Sequence, residues 1–493
     1  MSMRQNNIRL RKLLKGIKVI KTTIKGNIKI KGISSDSRKI KKGFIFVAIK
    51  GQKRNGNDYI DEAIKRGAIA IITEEYADIT PKICVSDARE ALAILWRNFY
   101  KNPTKGIKII AVTGTNGKTS TSYILNFILN EAKKSVGLIS TIGIYINNKR
   151  IDIDGGSEVL DIPSAMTTPD PEILYKIIDK MKREGVKYLI LESSSHAIAQ
   201  KKLSKIKPYI GVFTNLSCEH LDFHKTMNEY YLTKRELLLK SKFKIINIDD
   251  EYGKDFYIEN KKSNTISIRR KADYMGENLL KIDTGCSFLV KYSQKAVKIN
   301  SRLIGDFVVY NILLAFACAK ALKIKDKYII SGVKSCEEIK GRMERFCGKN
   351  VFIDSAHTPN AMESVLKSFK KQFPKKKIIV LFGCGGDRDK SKRKQMGEIA
   401  SQYADELIIT SDNPRTEDPK SIISDILAGV DKKVNKTIIV ERKEAILFAT
   451  KAIGQDGILL LLGKGHESYE INNEGKVYFD EREVLKEAFE DKW

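Results

Sequence analysis

Ile109-Ile110-Ala111-Val112-Thr113-Gly114-Thr115-Asn116-Gly117-Lys118-Thr119-Ser120 decides how this chain is read. The apolar run Ile109 to Val112 predicts a buried strand. A Gly-rich turn follows, and Ser120 to Asn130 has the pattern of a helix. Backbone N–H groups along Gly114, Thr115, Asn116, Gly117 and Ser120 can face phosphate oxygens, and the helix N-terminus adds partial positive charge. Lys118 would neutralise β- and γ-phosphates, and the Thr119 hydroxyl would sit on Mg²⁺. The full eight-residue phosphate-loop pattern has Gly where Val112 stands. This shortened variant argues against an ordinary GTPase or helicase, and the cofactors expected are ATP and Mg²⁺.

Further along, Tyr188–Leu191, Ile210–Thr214 and Lys244–Ile248 read as buried parallel strands. Beyond Gly341, apolar runs at Ile378–Phe382, Glu406–Thr410, Thr437–Val440 and Ile458–Leu462 alternate with helical segments. Before about residue 104 the chain mixes short strands with one helix-like stretch. At ~100–200 residues per domain, 493 residues fit three domains. The expected boundaries are 1–104, 105–340 and 341–493, and the class is α/β with mainly parallel sheets. Ligands in such sheets bind beyond the carboxyl ends of the strands.

A content of 42% hydrophobic and 30% charged residues excludes a disordered tail and a small disulfide scaffold. No apolar run reaches the ~18–20 residues that span a bilayer. Met1 to Lys21 is basic but has no apolar signal core, so a cytoplasmic protein without membrane insertion is expected. Seven dispersed cysteines without a CxxC pair fit reduced thiols. The formal charge of +29 has two readings, nucleic-acid binding or a lysine-coated surface. The lysines run the whole length and no arginine-aromatic module stands out, so no nucleic-acid partner is expected. A basic field also attracts a polyanionic small substrate.

The five histidines, His196, His220, His224, His357 and His466, all fall at or just beyond expected strand ends. Glu192, closing one strand, and His220, after the next, could meet a metal at one sheet edge. The spacing His220-x-x-x-His224 would suit zinc on a helix. The phosphate loop calls instead for Mg²⁺, which prefers oxygen and bridges phosphates.

Three loops of the last third should emerge on one sheet edge: Gly383 to Asp389, Asp412 to Arg415, and Gly463 to Glu467. That edge would carry Arg388 and Arg415 with Asp412 and Glu467. Arginine forks bind carboxylates and carboxylates bind ammonium groups, which fits an amino acid with an extra carboxylate and an extra amine.

These motifs in this order resemble the Mur ligase family over nearly the whole chain. The resemblance rests on Ser35-Asp36-Ser37-Arg38, the phosphate loop, Thr167-Thr168-Pro169, Glu192-x-Ser194-Ser195-His196 and Phe213-Thr214-Asn215. It continues through Gly341-Arg342-Met343-Glu344, Asp354-x-Ala356-His357 and the three loops above. It implies an N-terminal UDP-binding α/β domain, a central P-loop-type ATPase domain and a C-terminal Rossmann-like domain. The type with Asp412-Asn413-Pro414-Arg415 adds meso-2,6-diaminopimelate to UDP-N-acetylmuramoyl-L-alanyl-D-glutamate through an acyl phosphate, in peptidoglycan precursor synthesis. The partners implied are these small-molecule substrates, acting on a monomer.

The resemblance also implies residue roles. Ser37 would touch the uridine end, and Thr167, Thr168, Ser194, Gln200 and Lys202 the muramoyl-dipeptide. Lys202 stands where the family has arginine, keeping the charge and losing the fork. Lys118, Thr119, Asn311, Arg342 and Asp354 would contact ATP. Thr119 would hold one Mg²⁺; Glu192, His220 and a carbamylated Lys234 would serve the second. Lys118, Lys234 and His220 are the catalytic candidates. Arg388, Asp412, Asn413, Pro414, Arg415, Gly463 and Glu467 would bind the incoming amino acid. The family's Phe-Asn-x-x-Asn reads Phe307-Val308-Val309-Tyr310-Asn311, and its Asp-Tyr-Ala-His reads Asp354-Ser355-Ala356-His357. Close analogues of diaminopimelate such as lanthionine, a folate-polyglutamylating relative and a nucleic-acid-dependent ATPase are the alternatives. The folate reading has no use for Ser35-Asp36-Ser37-Arg38, and whether single-stranded nucleic acid or UDP-muramoyl-dipeptide plus diaminopimelate stimulates ADP release separates the ATPase reading from the ligase.

Overall fold

The computed structural model describes residues 8–51, 54–75, 81–151, 167–454 and 456–490. By internal contacts the chain forms two units. Residues 1–113, 134–212 and 232–244 make the first, and 114–133, 213–231 and 245–493 the second.

The first unit begins with a five-stranded sheet in the order Val19–Thr22, Lys82–Val85, Ala68–Thr73, Phe44–Val47, Gly32–Ser34. Only the Val19–Thr22 edge pairs antiparallel. The helix foreseen here is Ala88–Phe99, opened by Asp87, whose side chain accepts from the Glu90 amide. Its Leu92, Leu95, Trp96 and Phe99 share one core with Ile72, Val85, Ile109, Tyr175 and Leu189. Two shorter helices, Leu10–Leu13 and Ile60–Lys65, were not foreseen.

The same unit lays Lys149–Arg150, Gly143–Ile146, Val136–Ser140, Tyr188–Glu192, Lys108–Thr113 and Ile210–Phe213 side by side in that order. Tyr188–Glu192 pairs parallel with both of its neighbours. Strands covered on both faces lose the apolar-polar alternation, which is why they read as continuous apolar runs.

In the second unit the helix after the phosphate loop is Lys118–Glu131, starting two residues before the sequence reading placed it. Ile245 to Asn247 pair in parallel with Asn264 to Ile266. Tyr274–Ile282, Gly285–Tyr292 and Lys295–Ser301 form an antiparallel meander. Asp306–Ala321 is buried along most of its length.

The last part of this unit is a six-stranded sheet ordered Glu344–Arg345, Val351–Asp354, Ile458–Leu462, Ile378–Phe382, Glu406–Ile409, Asn435–Ile438. It is parallel apart from its first edge. Pro359–Gln372, Ser391–Tyr403 and Pro419–Leu427 cover one face, and Arg442–Ala452 with Glu481–Glu490 the other. The edge strand expected at Thr437–Val440 lies instead at Asn435–Ile438. Its mostly exposed residues give no apolar signal at the start, so the Thr-Ile-Ile-Val run drew the reading two residues too far.

Among the described residues no helix is long and apolar enough to cross a membrane. All seven cysteines are free, five of them buried.

Candidate active site

The strand Lys108–Thr113 ends where the chain needs two unusual backbone conformations. Gly114 has φ 148° and Gly117 φ 81°. A Cβ on Gly114 would fall on the Thr214 hydroxyl, and one on Gly117 on the Asn311 side chain. The loop is held from the side as well. Thr115 N donates to Asn215 O at 2.9 Å. Asn116 N donates to Asn215 Oδ1 at 2.9 Å, and Thr214 Oγ1 donates to Asn116 O at 2.6 Å. Lys118 opens the helix and folds back, its Nζ donating to Gly114 O at 3.1 Å and Thr115 O at 2.7 Å. The Thr115 hydroxyl lies 3.2 Å from the Tyr230 hydroxyl. Asn311 Oδ1 accepts from Thr121 Oγ1 at 3.3 Å, so Asn311 packs directly behind the loop.

Arg342 reaches the same loop, donating to the Thr119 hydroxyl at 3.3 Å and to Gly341 O at 2.8 Å. Asp354 is buried and accepts from Met343 N and Ala356 N, each at 2.8 Å. Burial raises its pKa, and the nearby Arg342 works against the rise. Glu219 Oε1 lies 3.7 Å from His220 Nε2 and 3.8 Å from His357 Nε2. The zinc reading of His220 and His224 fails here. His220, at φ 59°, stands outside the four-residue helix Leu221–His224, and the buried His224 ring stacks on Tyr230 at 4.9 Å.

The three loops expected on one edge do follow adjacent parallel strands, Ile458–Leu462, Ile378–Phe382 and Glu406–Ile409. Asn413 is the knot between them. Its amide nitrogen donates to Asp412 Oδ1 and Glu467 Oε2, both at 2.9 Å. Its Oδ1 accepts from Ile471 N at 2.9 Å and from Lys464 Nζ at 3.3 Å. Both donors and both acceptor positions of that amide are therefore used inside the protein. Burial and the neighbouring Asp412 raise the Glu467 pKa.

Arg415 has φ 55° and donates through NH1 to Gly386 O at 2.8 Å. Burial lowers its pKa and the adjacent Arg388 lowers it further. Among the described residues neither guanidinium has a carboxylate at ion-pair distance. Two neighbouring arginines with no described carboxylate at ion-pair distance, near the carboxyl groups of Asp412 and Glu467, present the chemical complement of an amino acid.

Sequence reasoning missed what holds these loops in place. Arg442 is wholly buried, pairs with Glu481 at 2.7 Å, and donates to Ser411 O at 3.1 Å and Leu462 O at 3.0 Å. It grips the last residue before each of two loops. Arg393 holds the third from within, donating to Gly385 O at 3.3 Å while paired with Glu417 and Asp425. Nothing in the sequence sets these arginines apart from solvated ones.

In the first unit, Glu192 closes its strand fully buried and accepts from Thr141, from the amide at 3.4 Å and the hydroxyl at 3.0 Å. The Thr141 hydroxyl also lies 3.2 Å from Thr167 Oγ1. Thr168 Oγ1 donates to Glu192 O at 2.8 Å and accepts from Ser194 N at 3.1 Å. Thr141, Thr167, Thr168, Glu192 and Ser194 thus form one cluster. Thr141 was missed, although it stands just past a strand end. Ser194 caps the helix Ser195–Ala199, and Gln200 follows it. Lys202 pairs with Asp170 at 2.7 Å. Ser37 donates to Glu62 Oε2 at 2.7 Å. Lys234 is buried on the helix Met227–Leu239.

Family profiles match three stretches of the chain. Residues 29–100 match the Mur ligase family catalytic domain, 112–319 the Mur ligase middle domain, and 341–465 the Mur ligase glutamate ligase domain. The UDP-N-acetylmuramoyl-L-alanyl-D-glutamate–2,6-diaminopimelate ligase of Caldanaerobacter subterraneus subsp. tengcongensis is 42% identical, over 97% of this chain and 98% of its own. The chain belongs to the Mur ligase family. The ligase of the same name from Clostridioides difficile is 40% identical to this Mur ligase, over 98% of this chain and 99% of its own. A solved structure of a ligase of that name covers 99% of both chains with a TM-score of 0.69 at 28% identity. The three-domain Mur ligase fold and ATP-dependent ligase chemistry come with the family.

The residues of this Mur ligase suit Mg²⁺. Thr119 supplies a hydroxyl and Glu192 a buried carboxylate, both hard oxygens. Among the described residues no three His, Cys, Asp or Glu side chains cluster as a metal cage. Mg²⁺ needs few protein ligands because phosphates and waters complete its shell, whereas structural zinc needs four.

Proposed function

We propose that this Mur ligase joins UDP-N-acetylmuramoyl-L-alanyl-D-glutamate to meso-2,6-diaminopimelate at the expense of ATP, in peptidoglycan precursor synthesis. The D-glutamyl carboxylate attacks the γ-phosphorus, ADP leaves, and an acyl phosphate forms. An amino group of diaminopimelate attacks the acyl carbon and phosphate departs, leaving an amide. Curated relatives near 40% identity over their full lengths carry this activity in their names.

The observation that carries the choice of amino acid is the neighbouring pair Arg388 and Arg415, with no carboxylate at ion-pair distance among the described residues, close to Asp412 and Glu467. A distal carboxylate would pair with Arg415, and the distal ammonium with the two acids. Lysine has no carboxylate to offer there. Pro414 and Gly463 shape this pocket.

Lys118, with the loop amides from Gly114 to Ser120, cradles the ATP phosphates, and Asn311, Arg342 and Asp354 complete the nucleotide site. Mg²⁺, held at Thr119, spreads the charge of the transferring phosphoryl group when bound. Glu192 is the carboxylate proposed for a second ion, with His220 and a carbamylated Lys234 carried over from the family resemblance. Thr167, Thr168, Ser194, Gln200 and Lys202 bind the muramoyl-dipeptide, and Ser37 the uridine end. Residues 1–104, 105–340 and 341–493 are the proposed domains, in a cytoplasmic monomer. A ligation assay with a panel of diamino acids and mass detection of the product tests the reading. Lysine or lanthionine turned over better than diaminopimelate overturns the choice of amino acid; no amide product at all overturns the reaction.

A further inference from the structure

We propose that the first unit carries a second ligand site, for an organic oxyanion, at the amino end of the strand Lys108–Thr113. A cavity of about 420 Å³ opens there, with Lys15, Arg97, Lys205 and Lys207 around a floor that includes Ile94 and Ile109. No Asp or Glu lines it.

The charges are what make the cavity a site. Lys205 pairs with Glu90 at 3.2 Å. Among the described residues, Lys15, Arg97 and Lys207 have no carboxylate at ion-pair distance. Arg97 is half-buried, and its Nε is shut off from solvent without a hydrogen-bond partner. Among the described residues, the guanidinium makes one hydrogen bond, a long one from NH1 to Asn98 Oδ1 at 3.4 Å. The buried Nε–H is an unpaired cost, and NH2, which is not shut off from solvent, is the nitrogen an incoming oxyanion would pair with. The rim is also built in advance. Asn98 Nδ2 donates to Leu13 O at 2.8 Å and Lys15 O at 2.9 Å, and Asn102 N donates to Arg97 O at 2.8 Å.

Cations over an apolar floor suit an anionic head on a small hydrophobic body, such as an aryl phosphate or an aryl carboxylate. Ile109 and the strand's last residue, Thr113, are about 13 Å apart at ~3.3 Å per residue. The site is thus separate from the phosphate loop that follows Thr113, and it stands whether or not the acceptor amino acid is diaminopimelate.

The test is calorimetric titration of the full chain with phenyl phosphate and, separately, benzoate, at matched ionic strength, comparing the wild type with Arg97→Gln/Lys207→Gln. A saturable event should weaken at least tenfold in the variant, while ligation activity is unchanged. Any binding common to both proteins belongs to the phosphate loop. Tighter phenyl phosphate marks a phosphate ligand, and tighter benzoate a carboxylate. Equal binding by both proteins, or heats that vanish at matched ionic strength, overturns the site. If that variant does not fold, Lys15→Gln/Lys207→Gln removes two exposed charges and is held to the same comparison.

Discussion

The buried ammonium of Lys464 donates to Oδ1 of Asn413 at 3.3 Å, and this contact fixes which way the Asn413 amide faces. An amide turned the other way would set its NH₂ against a cation and its oxygen against two carboxylates. Asn413→Asp removes the donor that separates Asp412 from Glu467. The KM for diaminopimelate should rise roughly ten- to a hundredfold, the worth of a hydrogen bond to a charged group. The KM for ATP should stay within about twofold, since Asn413 does not touch the nucleotide loop. Steady-state kinetics with each substrate varied in turn decides, and an unchanged diaminopimelate KM sinks the idea.

Arg415→Ala should weaken use of diaminopimelate far more than the residual use of lysine. The expected loss in kcat/KM is again roughly ten- to a hundredfold for diaminopimelate. Equal losses for the two amino acids would mean that the arginine only holds Gly386 in place.

Lys118→Ala should abolish ADP formation while the fold survives. Two of the lysine's bonds are to loop carbonyls, Gly114 O and Thr115 O, which can turn to water. Near-normal ADP release alongside an unchanged melting temperature would rule out the phosphate role.

Lys234 is buried on its helix, and the family resemblance assigns it a carbamate. Carbamylation turns it into an anion. Lys234→Ala should be inactive and partly restored by short-chain carboxylic acids. Intact-protein mass under bicarbonate reads the modification directly, and a fully active protein without the added carbamate would contradict it.

His466 gives a pH-dependent stability. Burial, with the charges of Arg342, Lys340, Arg482 and His357, pushes its pKa from 6.5 down to about 3. Between those values the unfolded chain binds the proton and the folded chain does not, so stability falls as the pH drops. The contribution is complete above pH 6.5 and lost progressively toward pH 3. His466→Met should flatten that part of the stability curve by up to roughly 4 kcal/mol. Denaturant unfolding at several pH values measures it; parallel curves for the two proteins would show that the imidazole titrates normally.

The sequence and the structure agree where the signal is local. Ile378–Phe382 and Ile458–Leu462 were legible to the residue, because a strand buried on both faces must be apolar throughout. The phosphate loop was legible because Gly114 and Gly117 stand where a side chain would collide. Where neighbours decide, the reading ran out. Arg393 and Arg442 look like any surface arginine until Glu417, Asp425 and Glu481 arrive from far along the chain. Thr141 reaches Glu192 only because two strands that are neighbours in space are not neighbours in sequence. Asn413 was read as a ligand of the amino acid, and its saturated amide makes it equally a brace for the groups around it.

The Arg442–Glu481 pair joins the acceptor loops to the helix Glu481–Glu490. On the proposed reading, the loops that choose the incoming amino acid are braced by Glu481 through Arg442. Loss of the Glu481 carboxylate would blur substrate choice with every residue assigned to the amino acid intact, so a probe aimed at this helix would disarm the enzyme without competing with its substrates.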